Sequence, residues 1–209
     1  MPTFDTIILC TMAGLALSAS PGPSMLYVLS RSVSQDYKAG LASTMGLAIG
    51  GMILAVASAL GLTLVISQSD ILYSGIRVIG AIYLIYLGVE AIGIVGKKED
   101  LSVDKIGKEP LDKILIQGIW VEVLNPKTIL FFLAFIPQFV DKSIGSVSLQ
   151  TLILGMLVPL TAIPSDIIVS FCGGAVAQQL SKKPMASTIL NWVAGLILIG
   201  LGLRIFLLD

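Results

Sequence analysis

Several apolar runs in this chain are long enough to cross a bilayer, and they constrain its fold more than any other feature. A hydrocarbon core about 30 Å thick needs about 20 apolar residues of helix. In lipid each backbone polar group must be satisfied within the chain, so such runs must be helices. Six spans can be drawn, over residues 5–30, 41–66, 71–95, 114–140, 148–177 and 186–207. Of the 209 residues 56% are hydrophobic and only 12% are charged. That is about half the usual globular share of charge, too little to cover a soluble domain. The chain therefore reads as a single all-α transmembrane domain.

Lysine and arginine placement sets the expected orientation. Arg31, Lys38, Lys97, Lys98, Lys105, Lys108, Lys113, Lys182 and Lys183 fall in the loops after spans 1, 3 and 5, nine of the thirteen basic residues. That side should be cytoplasmic, with both termini outside. The first twenty residues resemble a secretory signal, with Ala16–Ser20 like a cleavage site. They hold no Lys or Arg, whereas a signal peptide should begin with positive charge. They are read as a retained first span. Three spans lie on each side of the charged loop 96–113, giving halves 1–95 and 114–209. Because three is odd, the halves enter the membrane in opposite directions, and any repeat is inverted. Gly80–Gly88 in span 3 is loosely echoed by Gly195–Gly202 in span 6.

Two triplets sit where a spanning helix should avoid them: Pro21-Gly22-Pro23, and 104 residues later Asn125-Pro126-Lys127. Asn is a strong N-cap and Pro is favoured at the first helical position. Span 4 should therefore stop near Leu124 and restart at Pro126, its free N–H groups facing the protein interior. Ser20-Pro21 predicts the same kind of start in span 1, loosened further by Gly22-Pro23. One such proline would be read as a kink. Two at equivalent places point to paired half-helix starts near the midplane, a site for an anion such as a carboxylate. Lys127 lies ~20 Å along span 4, too deep to reach water easily. A charge there costs on the order of 3 kcal/mol or more, so it should face a partner or a wet cavity. Glu122 and Asp166 are the candidate partners, the alternative being a buried structural ion pair. Pro164 is expected to distort span 5 near Asp166. Arg77 and Glu90 read as interfacial anchors. Gly46-x-x-x-Gly50 allows close helix approach, for internal packing or for a homodimer.

Other chemistries find little support. Net charge is zero, so nothing suggests nucleic acid as a partner. There is no histidine, the commonest metal ligand and near-neutral proton carrier. No catalytic constellation, metal site or cofactor is expected. Cys10 and Cys172 lie far apart and read as small buried apolar residues. A membrane thiol–disulfide carrier would rest on that pair alone. A metal-ion exporter is disfavoured by the missing histidine and sparse carboxylates. A non-transporting membrane subunit is the remaining alternative.

These residues resemble the lysine exporter/resistance-to-homoserine (LysE/RhtB) family of amino-acid exporters. The likeness runs through Ser20-Pro21-Gly22-Pro23, Val28, Arg31, the glycines Gly40, Gly46 and Gly50, and Gly80–Gly88. It continues through Leu124-Asn125-Pro126-Lys127, Phe131-Phe132 and Pro137-Gln138-Phe139, and Asp166 falls where the family tends to have a span 5 aspartate. The resemblance implies efflux of amino acids or close derivatives across the bacterial inner membrane. Substrates in such families include lysine, arginine, threonine, homoserine and its lactones, leucine and cysteine derivatives. In the expected mechanism Ser20, Pro21, Gly22, Pro23 and Ser24, with Asn125, Pro126 and Lys127, hold the substrate carboxylate. Asp166, with Glu122, meets the ammonium group or carries the coupling proton.

Overall fold

The computed structural model describes residues 1–19, 22–68, 70–93, 107–141, 143–182 and 184–208. Most of the charged central loop lies outside the described residues. The described chain is helical: α1 Phe4–Ala19, α2 Pro23–Ser34, α3 Tyr37–Gln68, α4 Asp70–Ile92, α5 Leu111–Val123, α6 Pro126–Phe135, α7 Val147–Lys182 and α8 Pro184–Leu208. A 3₁₀ turn, Ile136–Phe139, extends α6.

Three helices carry stretches long and apolar enough to cross a membrane: Tyr37–Gly61, Ser74–Ile92 and Val147–Gly173. The pairs α1/α2 and α5/α6 each pass the same test together, bent by 53° and 50° at their breaks. Asn191–Arg204 in α8 is a shorter apolar stretch, but the whole helix has 25 residues. At 1.5 Å per residue it is about 37 Å long, enough to cross. Six spans result, with spans 1 and 4 broken.

Packing pairs the two halves symmetrically. Helix α3 lies along α7, and α4 along α8. Helices α1 and α2 pack on α7, as α5 and α6 pack on α3. Small residues make these approaches possible. A Cβ on Gly88 would stand 2.5 Å from the Gly195 carbonyl oxygen, and one on Gly195 would stand 2.5 Å from that of Gly88. Gly202 meets the Ala81 carbonyl in the same way. The two echoing segments thus face each other along antiparallel helices, as an inverted repeat requires. Gly46 and Gly50 sit against Gly118, Ile119 and Glu122 of α5, so this motif is spent inside the molecule.

One apolar core centres on α6, where Phe131 stacks on Phe135 and the Phe139 ring tilts against Phe135, centroids 4.6 Å apart in each pair. Leu84, Leu154 and Leu198 close around it. A smaller core joins Val28 and Leu29 of α2 to Leu47 and Val169.

Two expectations need correction. Helix α7 runs unbroken through Pro159 and Pro164. The Thr161 and Ser165 hydroxyls donate to the Val158 and Ala162 carbonyls beside those prolines. The cysteines also differ from each other. Cys10 is buried and Cys172 exposed, both unpaired. The Cys10 thiol donates to the Leu154 carbonyl at 3.4 Å. Leu154 lies eighteen residues, about 27 Å, from Cys172 along α7. The two thiols cannot form one disulfide, which removes the basis of a thiol–disulfide carrier.

Candidate functional site

The break in span 4 is built as Asn-Pro chemistry dictates. Helix α5 ends at Val123. The Asn125 backbone is extended, with φ −69° and ψ 111°, and its side chain accepts from the Lys127 N–H at 3.0 Å. Pro126 then opens α6, where a missing N–H costs nothing. In span 1 the described restart is Gly22 followed by Pro23 as the first helical residue. It lies two residues later than a start at Ser20-Pro21. Ser20 and Pro21 themselves lie outside the described residues. Gly22 is extended and offers no side-chain cap.

Between the two restarts runs a polar chain that joins the halves. Asn125 Nδ2 donates to Ser24 Oγ at 2.9 Å. Ser24 Oγ donates in turn to Glu122 Oε2. Thr128 Oγ1 donates to Glu122 Oε1 at 3.0 Å. Glu122 thus takes one hydroxyl from the first turn of α2 and one from the first turn of α6.

These groups line one cavity of ≈ 70 Å³, with Gly22 and Lys127 at the same wall. One water needs about 10–15 Å³, so several fit. Asp166 of α7 lines the same cavity. It is only 9% exposed. Among the described residues no hydrogen bond or salt bridge reaches its carboxylate; Ser170 bonds only to its main-chain carbonyl. A structural Lys127–Asp166 ion pair is therefore absent among the described residues. Ser18 of α1 adds one more hydroxyl to the wall, and the rest is mostly apolar, with Leu17, Met25, Leu47, Phe132, Val158 and Ile163.

The structure thus brings Gly22, Ser24, Glu122, Asn125, Lys127 and Asp166 together. Pro23 and Pro126 set the helix starts without lining the cavity. Sequence reasoning passed over the Thr128 side chain and the α3 wall of Leu47, Ala48 and Gly51. Both left a signal. Thr128 and Phe132 are four apart, on one face of α6. Leu47, Ala48 and Gly51 have i, i+1, i+4 spacing, one face of α3. Any long span carries such faces, so the spacing alone does not say which one meets a cavity. No described cluster of acidic, cysteine or histidine side chains suits a metal ion.

A family model described as LysE type translocator matches residues 15–208. The leucine efflux protein of Enterobacter sp. (strain 638) is 29% identical over 185 residues, 88% of this chain and 87% of that protein. The leucine efflux protein of Salmonella typhimurium is 28% identical over 198 residues, 90% of this chain and 89% of that protein. An uncharacterized membrane protein of Bacillus subtilis, YrhP, is 29% identical over 194 residues, 88% of this chain and 90% of that protein. No solved structure matches the chain.

Proposed function

The chain belongs to the LysE type translocator family, and on that premise we propose that it exports amino acids across the bacterial inner membrane, coupled to inward proton flow. One observation carries the reading. Two half-helix starts, one lysine and two carboxylates line a single cavity whose remaining wall is mostly apolar. An amino acid carries the complementary groups. Its carboxylate goes to Lys127 and the free N–H groups at the helix starts. Its ammonium group goes to Asp166. Its side chain lies against Leu17, Met25, Leu47 and Phe132, a fit for leucine and its isosteres. Two of the relatives are named leucine efflux proteins, in agreement with that side chain.

The charge balance supports proton coupling. Lys127 with Glu122 and Asp166 carries one net negative charge when all are ionised. Net charge away from water is costly, so the empty site takes up a cation. A proton on Asp166 neutralises it; the ammonium group of the substrate pairs with the same carboxylate and so competes with the proton locally, the bound zwitterion leaving the net charge of the site unchanged. Exchange of one for the other, with the halves rocking around the site, drives export. The nine basic residues on one side support an orientation with both termini on the outer face.

Counterflow of radiolabelled amino acids in proteoliposomes tests this. Leucine should exchange, and an inward proton gradient should accelerate its exit. Asp166→Asn should remove the acceleration, and Lys127→Ala should weaken substrate binding. Undiminished proton-coupled exchange in both variants would sink the assigned roles. No counterflow of any amino acid would sink the function.

A further inference from the structure

A second polar cluster, away from the cavity, also joins the two halves. Arg31 lies on α2 about 10 Å beyond Ser24 at the helical rise. It is only 7% exposed. Its guanidinium donates to Gln117 Oε1 at 2.7 Å, to the Gly107 carbonyl at 3.3 Å and to Glu109 Oε2 at 3.5 Å. It also lies over the Tyr27 ring, 5.7 Å from the centroid. The Tyr27 hydroxyl donates to the Ile114 carbonyl at 2.7 Å. Gln35 exchanges two hydrogen bonds with the Glu109 main chain, both 3.0 Å. Gln117 and Lys113 donate to the two Glu109 carboxylate oxygens at 2.9 and 3.1 Å. Each of these bonds ties α2, or the residue just past it, to the start of the second half, or braces Glu109 for that contact.

The repeat relates α2 to α6 and α5 to α1. The interface equivalent to α2–α5 would therefore join α6 to α1 at the opposite end of the molecule. Among the described residues the flanks of those two helices share one exposed hydrogen bond, from the Met1 amino group to the Ile144 carbonyl at 3.3 Å, in place of a side-chain cluster. Helix α1 packs on α7 and α8 instead, and α6 on α4 and α3. An inverted-repeat carrier holds the same interface in two copies and closes one at a time. Among the described residues one copy is held by a cluster of side-chain bonds and the other by that single exposed one.

We propose that Arg31, Gln35, Glu109 and Gln117 form the gate that seals the cavity from the face carrying Gln35, Asp36 and Gly107. The structure is then the state closed on that face, and transport requires α2 to part from α5 there. The proposal rests on the translocator reading of the cavity. Arg31 is buried, so removing Glu109 or Gln117 leaves its guanidinium short of partners, and the latch is either made or broken. That supplies the two discrete arrangements that a gate needs.

The test is cysteine accessibility in the full-length chain, in membrane vesicles of both orientations. Cys10→Ala and Cys172→Ala give the background, and Ala48→Cys reports from the cavity wall. With the latch intact, a membrane-impermeant maleimide should label the reporter from the opposite face and spare it from the latch face. Arg31→Ala or Glu109→Ala should raise labelling from the latch face by about tenfold or more. The charge exchange Arg31→Glu with Glu109→Arg should restore protection. Gln35→Ala removes only two hydrogen bonds, and repeats the test if the larger losses prevent folding. Labelling from the latch face that is rapid with the latch intact, or unchanged in all these variants, overturns the gate. Counterflow separates this from the function. A latch-dependent reporter without flux of any amino acid leaves the gate standing and removes the substrate reading. Flux with an indifferent reporter does the reverse.

Discussion

Asn125 uses both ends of one side chain. Its oxygen caps α6 at the Lys127 N–H, and its amide nitrogen holds Ser24 of the other half. Asn125→Ala loses the cap, at about 1 kcal/mol, and also frees Ser24 from the span 4 break. The expected outcome is a lower melting temperature in detergent, with weaker substrate binding than the stability loss explains. Glu122 is the acceptor on which the same chain ends. Glu122→Ala strands the Ser24 and Thr128 hydroxyls, at about 1–3 kcal/mol for each buried group left unmet. Glu122→Gln keeps an acceptor oxygen and should cost less in the same melt. Equal losses in the two variants would show that packing matters there, not hydrogen bonding. The capping role of Asn125 was legible in the sequence, because Asn before Pro caps a helix by local geometry. The partners of Glu122 were not, since Ser24 is 98 residues away and only the packed fold brings it near.

At the scale of elements, the six spans and the span 4 break lie where apolar runs and proline chemistry put them. Those signals are local: twenty apolar residues and a cap need no knowledge of neighbours. Glycine roles are another matter. Gly88 and Gly195 face each other's carbonyl oxygens, whereas Gly61 and Gly75 meet nothing within 4 Å among the described residues. Gly88→Ala and Gly195→Ala should each destabilise by about 1–3 kcal/mol as α4 and α8 are forced apart. Gly61→Ala and Gly75→Ala should be neutral, or stabilise by up to about 1 kcal/mol. Thermal melts of the four variants check this, and a uniform response would contradict the crossing. The loose echo of Gly80–Gly88 in Gly195–Gly202 marks Gly88 and Gly195 in the sequence, but no local feature says that they meet each other.

For the whole molecule, the two polar clusters should answer pH differently. Glu109 stands outside the spans. The hydrogen bond from Lys113 holds its carboxyl below the usual range, helped by the Lys113 charge, Gln117 and Arg31. A depressed folded pKa contributes stability above the unfolded value of about 4.3, and loses it as pH falls through the folded value. Glu109 therefore stays ionised through the neutral range. On the proposed function, pH dependence of transport near pH 7 is expected from the cavity and not from Glu109. Glu109→Gln should change the rate of exchange without moving its pH profile between about pH 6 and 8, and proteoliposome flux at stepped pH measures both. The sequence by itself determined the membrane class, the six spans, the opposed halves and the two breaks, because each follows from hydrocarbon thickness, local caps and the parity of crossings. Only the tertiary structure decided which polar groups meet. It put Glu122 between the two helix starts, left Asp166 facing the cavity and joined Arg31 to Glu109, because contacts between residues 76 to 101 positions apart arise only when helices pack.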